Sequence, residues 1–323
     1  MGLGLGADLH AALEVGDLPG ARPAGAEAVG DVVHAGRQAD RDTRDARGVA
    51  GWRLVAIDGS CLDIADTAEN AAFFGRPGVS KGEKSAFPQV RLVALAECGT
   101  HAMFDAAVGG YPSSEMALAD ELIGRLQPGM LVLADRVFYS FTLWRKAIAT
   151  GADLLWRAKT GLRPQHLQTL DDDSWLAQIR PSGEKTVEPI TVRVIDYTVD
   201  DGRDNTESYR LFSTILDPAQ ASATELVAAY ARRWEIDLVL DELKTHQRGP
   251  RTVLRSKSPE LVLQEIWGHL CCHYAIRTLM ADAAQHSGHD PDRMSFVAAL
   301  GDHTASSSAP RAPRRSCFPS ETG

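Results

Sequence analysis

The segment Tyr230-Ala-Arg-Arg233-Trp-Glu-Ile-Asp237-Leu-Val-Leu-Asp-Glu-Leu-Lys244 combines an apolar helical repeat with a polar stripe that burial alone does not require. Read as part of a helix over Ala223–His246 at about 100° per residue, it gathers Tyr230, Arg233, Asp237 and Lys244 within an arc of about 60°. Ile236, Leu240 and Leu243 fall beside that arc and bury the helix against a sheet. Two readings stay open from helix geometry. One is a solvated face with an Arg233–Asp237 pair at i, i+4, worth roughly a few tenths of a kcal/mol. The other is a site in which the carboxylate meets further acids while the cations and the phenol hold phosphates. Asp241 lies on nearly the same face as Asp237, whereas Glu235 and Glu242 point away.

Working outward, two apolar runs each stop at an aspartate. Trp52–Ile57 ends at Asp58-Gly59, and Met130–Ala134 ends at Asp135. Both read as buried strands closing at a turn. A charge at the end of an apolar strand is costly unless it is solvated, paired or bound to metal, although a turn or helix-cap aspartate is an equally open reading. Three carboxylates from two strands and a helix would suit two-metal phosphoryl transfer, with hard cations about 3.5–4 Å apart on oxygen ligands.

The rest of the body has the texture of an α/β domain. Val90–Ala96 and Met103–Val108 are strand candidates joined by a hairpin-length connection, and a helix follows over Ser113–Leu126. A helix around Phe141–Thr150 leads to a strand at Asp153–Trp156. Over 160–216 the β-branched and aromatic runs Ile190–Val199 and Tyr209–Leu216 predict a β-rich insert. A last long helix begins at Ser258-Pro259-Glu260, with Ser as N-cap and Pro at the first helical position.

These features together resemble the DDE transposases of bacterial insertion sequences, in the group with a long β insert before the last catalytic helix. The resemblance rests on Ala-Ile-Asp58-Gly-Ser, on Leu-Ala-Asp135-Arg-Val-Phe-Tyr, and on the Tyr230, Arg233, Asp237, Lys244 spacing, which matches the family's Tyr-Arg-Glu-Lys signature at every interval. It covers about 50–300. It implies an α/β ribonuclease-H-like core with a mixed central sheet, over 51–159 and 217–300, interrupted by the insert at 160–216. It implies that Asp58, Asp135 and Asp237 are catalytic and bind two Mg²⁺ ions, and that Tyr230, Arg233 and Lys244 grip transposon-end phosphates. Arg248 and Arg251, in the acid-free stretch Arg248–Lys257, extend that DNA-binding patch. The implied reaction cuts the transposon end to release a 3′-hydroxyl, passes through an end hairpin in β-insert members, and joins the end to target DNA. The expected partners are therefore end and target DNA, with a homodimer as the assembly. Two positions depart from the family: Asp237 stands where it has Glu, and Val137 where it has Gly. They keep open a second reading, a remnant that binds DNA without cutting it, and a third, a cellular nuclease of the same fold.

Composition bounds the rest. The chain has 323 residues, 44% hydrophobic and 24% charged, enough for a sizeable core, and its net charge of −9 argues against a protein that is basic throughout while leaving room for a local basic groove. No apolar run approaches the ~20 residues of a membrane span. Five cysteines, two of them adjacent, suit reduced thiols. A cytoplasmic, nucleoid-associated protein is the expectation. Residues 1–50 hold nine Gly and eleven Ala with no Lys, Ser or Ile. They and 301–323 are expected to be disordered, and the abrupt change near Gly51 suggests a truncated or frame-shifted gene copy.

Three further features have open readings. Lys81 and Lys84, in a loop without P-loop spacing, are phosphate candidates. His269 and His273, at i, i+4 around Cys271 and Cys272, are expected to pack in the core rather than hold zinc. Trp175, Tyr209 and Phe212 either stack a flipped base or pack within the insert.

Overall fold

The computed structural model describes residues 51–306 apart from 79–85, 182, 185, 201–205, 251 and 292–293. The expectations for 1–50, for 307–323 and for Lys81, Lys84 and Arg251 lie outside the described residues.

β1 (Arg53–Asp63), β2 (Gln89–Glu97) and β3 (Met103–Gly110) pair antiparallel in sequence. β4 (Met130–Ala134) joins β1 in parallel, and β5 (Asp153–Arg157) joins β4 in parallel. Every residue of β4 is buried, as a parallel strand covered on both faces requires. Three antiparallel strands followed by two parallel ones, with helices on both faces, make the ribonuclease-H-like core. β6 (Gln165–Thr169), β7 (Trp175–Ile179), β8 (Ile190–Asp200) and β9 (Thr206–Ser213) continue the same sheet through antiparallel β5–β9 pairing. The full order is β3-β2-β1-β4-β5-β9-β8-β7-β6.

Among the described residues the α-helices are α1 (Ala68–Phe74), α2 (Glu115–Leu122), α3 (Phe141–Ile148), α4 (Ala223–Ala231), α5 (Glu235–Asp241), α6 (Pro259–Ser287) and α7 (Phe296–Ser306). α2 and α3 start where Ser114 and Ser140 accept from the backbone three residues on. α4 starts at a reciprocal Ser222–Glu225 capping box. Ser258 and Pro259 open α6 at the expected positions, although the Ser258 side chain makes no capping hydrogen bond. Among the described residues no helix is long and apolar enough to cross a membrane.

Strand alternation sorts the two faces. Val55, Ile57, Val132 and Ala134 point into the core under α2 and α3. Leu54, Ala56, Leu131, Leu133 and Leu155 point the other way, toward α4, α5 and α6. Asp58, Asp135 and Arg157 follow the second set by period two, so all three belong to the α4–α5 face.

Three expectations need correction, and two strands were not foreseen. β1 does not stop at Asp58: its ladder with β2 runs on to Asp63↔Gln89, because β2's long apolar run keeps pairing it and overrides the Asp-Gly turn preference. What ends there is the pairing with β4, whose last pair is Ile57↔Ala134. The helix expected over 223–246 is also not continuous. It passes from α4 through a 3₁₀ turn at Arg232–Trp234 and α5 to a π turn at Glu242–Gln247. The tight turn overwinds and the wide turn underwinds, which partly offset, so Lys244 still reaches β1. β6 and β7 had no clear sequence signal, since β6 is exposed along its whole length and lacks alternation. Finally, α7 runs to Ser306, past the expected boundary at 301.

Candidate active site

β1 and β4 separate just after Ile57 and Ala134, so Asp58 and Asp135 occupy the next positions on adjacent parallel strands, roughly one strand spacing of about 4.8 Å apart in backbone. Asp58 Oδ1 accepts from Gly59 N at 2.7 Å. Asp135 precedes a 3₁₀ turn at Arg136–Phe138 but makes no side-chain cap hydrogen bond, so its carboxylate is not spent on capping. Asp237 sits on exposed surface of α5.

Asp237 interacts electrostatically with both Asp58 and Asp135. Burial pushes the Asp58 carboxyl above its usual range; the Gly59 N–H and Arg233 pull it down, and Asp237 and Glu115 add repulsion. Desolvation likewise raises Asp237, with Arg233 opposing and Asp135 adding repulsion. Such upward shifts mean that ionised carboxylates are crowded without enough compensating donors.

Arg233 supplies the nearest positive charge. Its Nη1 donates to Asp58 Oδ2 at 3.2 Å, and its guanidinium carbon lies 4.3 Å from the Trp234 ring centroid. The i, i+4 pair with Asp237 on a solvated face is therefore corrected: Arg233 is 5% exposed, and its ion pair crosses to β1. Tyr230 is also buried, not solvent-facing, and its hydroxyl donates to Ala134 O at 3.3 Å. Desolvation raises its pKa well above the usual phenol range. These groups tolerate burial because each finds a partner at the end of β1 or β4. Lys244 remains exposed and donates to Ser60 Oγ at 2.9 Å, two residues beyond Asp58 on the same face.

The outlying candidates are placed less centrally. Arg248 is half-buried, and its Nη2 donates to Thr252 O at 2.7 Å. Arg251 is outside the described residues. Asp241 accepts from Thr245 Oγ1. His273 is fully buried against Glu242, with Nε2 3.1 Å from its Oε2. In the insert Phe212 is fully buried among core aromatics, Tyr209 stacks on Tyr197, and Trp175 stacks on His166. Packing, not base stacking, therefore accounts for Phe212.

Two residues beside the carboxylates went unnoticed in the sequence. Arg157, last in β5, has Nη1 3.9 Å from Asp135 Oδ1 and its guanidinium 3.8 Å from the Tyr209 ring centroid. Its signal was present: a third apolar strand ending in a charge, on the strand next to Asp135. Glu115, first in α2, lies over Gly59, whose missing Cβ would come within 3.1 Å of the Glu115 carboxylate. Nothing local marks it, because only the fold brings α2 to β1.

Hard oxygen donors suit Mg²⁺, and the mutual repulsion of these carboxylates suits a cation. Among the described residues, however, no three acidic, His or Cys side chains are already gathered into a ligand set.

A ribonuclease-H-like sheet with acids where its central parallel strands part, faced by a helix carrying an acid and cations, defines the class. Residues 51–275 match the family model described as the transposase DDE domain, and the chain belongs to that family. It is 30% identical over 260 residues to the transposase InsG for insertion sequence element IS4 of Escherichia coli strain K12. That match covers 78% of this chain and 58% of the relative, so the chain spans little more than half the length of InsG. Among solved structures it is similar to the piggyBac transposase synaptic complex with hairpin DNA, at a TM-score of 0.46 and 12% identity, over 83% of this chain and 56% of that one.

Proposed function

We propose that this protein is a transposase that cuts insertion-sequence ends and joins them to target DNA by metal-dependent phosphoryl transfer. The observation that supports the proposal is that Arg233, from the helix segment that carries Asp237, donates to Asp58 where β1 and β4 part, each with an aspartate at the next position. In this reading Asp58, Asp135 and Asp237 would hold two Mg²⁺ ions, and the chemistry such ions would supply is activation of the attacking oxygen and stabilisation of the leaving one. Arg233 and Lys244 face the scissile phosphate and neutralise its charge, while Tyr230, anchored on Ala134 O, sets the height of α4 over the end of β4. Arg248 and Arg251 extend the phosphate track. The first step adds water across the phosphodiester and frees a 3′-hydroxyl. In the second that hydroxyl attacks a target phosphodiester, forming one P–O bond as another breaks. DNA is the partner, and a homodimer is the assembly that would bring two ends together.

Asp237 is one methylene shorter than Glu, and a misplacement of about 1 Å can cost about a hundredfold in rate. A protein that binds DNA without cutting is therefore the competing outcome. The test is nicking of DNA bearing the repeats that flank the gene, with Mg²⁺, by the parent and by Asp237→Glu. Cutting by the parent, or only by Asp237→Glu, supports the assignment. Inert parent and variant, both still binding DNA, would leave the non-catalytic reading.

A further inference from the structure

Asp237 stands on a helix of only seven residues, with a 3₁₀ turn before it and a π turn after it. The flanking turns change the helical pitch on both sides, so contacts beyond the backbone help to set the rotation of α5, among them its buried Ile236, Val239 and Leu240. The polar contacts on its rear are concentrated on two acids. Glu235, its first residue, accepts from Gly99 N and from Arg232 Nε, both at 2.6 Å, and lies 3.3 Å from His101 Nε2. Gly99 and His101 belong to the β2–β3 hairpin, where both adopt positive φ, 94° and 59°. Glu242, the first residue of the π turn, accepts from Arg277 through both carboxylate oxygens, including Arg277 Nε at 2.9 Å, and faces His273 Nε2 at 3.1 Å. Arg277 and His273 come from α6, and Phe296 of α7 covers both.

The angles give the arrangement its meaning. Glu235 and Glu242 are seven residues apart, about 20° from the same line along the helix, while Asp237 is about 160° from Glu235. The two anchors therefore grip the rear of α5, and Asp237 projects from the front. Buried ion pairs of this kind rarely raise stability over a well-packed apolar cluster, and their best-attested use is to select one register.

We propose that Glu235 and Glu242, with Arg277 and His273, are positioning residues that hold α5 in the one rotation that brings Asp237 to Asp58 and Asp135. This rests on the reading of those aspartates as metal ligands, but its test does not depend on cutting. The triple replacement Glu242→Leu, His273→Phe, Arg277→Met removes the Glu242 anchor together with both of its α6 partners and leaves the Glu235 anchor in place. Three measurements follow on the full chain: the thermal midpoint, the ¹⁹F line of 5-fluorotryptophan at Trp234, and Mn²⁺ affinity. Trp234 reports rotation because it stacks on Arg233 at the start of α5. The expected result is a midpoint at or above the parent's, a displaced or broadened Trp234 line, and Mn²⁺ binding weakened about tenfold or more. A folded triple variant with the parent's Trp234 line and the parent's Mn²⁺ affinity would overturn the proposal. Should the triple variant fail to fold, Glu235→Gln, which keeps volume and one acceptor, is read the same way. A parent that takes up no Mn²⁺ would remove the metal reading, and the Trp234 line would still decide this one.

Discussion

The acids on the two sides of α5 live under opposite electrostatic regimes. At the rear, burial would raise Glu235, but His101, Arg232 and the Gly99 N–H outweigh it and bring its pKa down to about 2. Asp172 behaves alike within the insert, where Ser174, Ala223 N and the buried Arg193 overcome desolvation and hold it low. At the front, Asp58 and Asp237 are raised, because burial and neighbouring carboxylates exceed what Arg233 and one backbone N–H return. The residue type is shared and the donor supply is not. Acids saturated with donors hold the fold; acids left short of positive charge are available to a cation or to a substrate that brings one.

The largest effect expected on this contrast is at the front. Asp58→Ala removes a proposed ligand and should abolish cutting, while DNA affinity in EDTA stays equal or rises slightly, since one repulsive charge has gone. Gel-shift and nicking assays on the same preparation check both halves; loss of DNA binding alongside cutting would mean Asp58 supports the fold instead. Next, Glu242→Ala alone leaves Arg277 buried without its carboxylate and should cost about 3–5 kcal/mol of stability by denaturant titration. A smaller loss would place Glu242 among ordinary surface ion pairs.

The third prediction concerns pH. Glu235 is depressed from 4.5 to about 2, so its contribution is complete above about pH 4.5 and is lost as pH falls through that window toward 2. The thermal midpoint of the parent should fall across that range, and that of Glu235→Gln should fall less. Parallel curves would show that other groups dominate acid unfolding. The smallest effect is at the exposed edge of the front. Lys244→Ala should leave folding intact and flatten the plot of log DNA affinity against log salt by roughly one unit. Arg233→Ala is less clean, because Arg233 is buried and its loss also strands Asp58.

Much of this contrast was legible before any fold was known, but only on one side. The front could be read because Asp58 and Asp135 follow apolar strands and Asp237 shares an arc with Tyr230, Arg233 and Lys244. Glu235 and Glu242 could be read only as pointing away from that arc. What they point toward lies on a hairpin more than 130 residues earlier and on a helix more than 30 residues later. The same limit hid Glu115, brought to Gly59 by α2, and led to Arg233 being paired with its local neighbour.

The chain's own order of residues determined the succession of the first five strands, the spacing of the polar stripe and the Ser-Pro start of the last long helix. Those features depend on local periodicity and on side chains acting within a turn of their own backbone. Only the tertiary structure decided that β1 continues past Asp58, that the stripe helix breaks into four segments, and that Arg233 pairs with an aspartate 175 residues away. Each of those outcomes is a competition between a weak local preference and a long-range partner. The partner wins when burial makes an unpaired polar group more costly than a bent helix or an overridden turn.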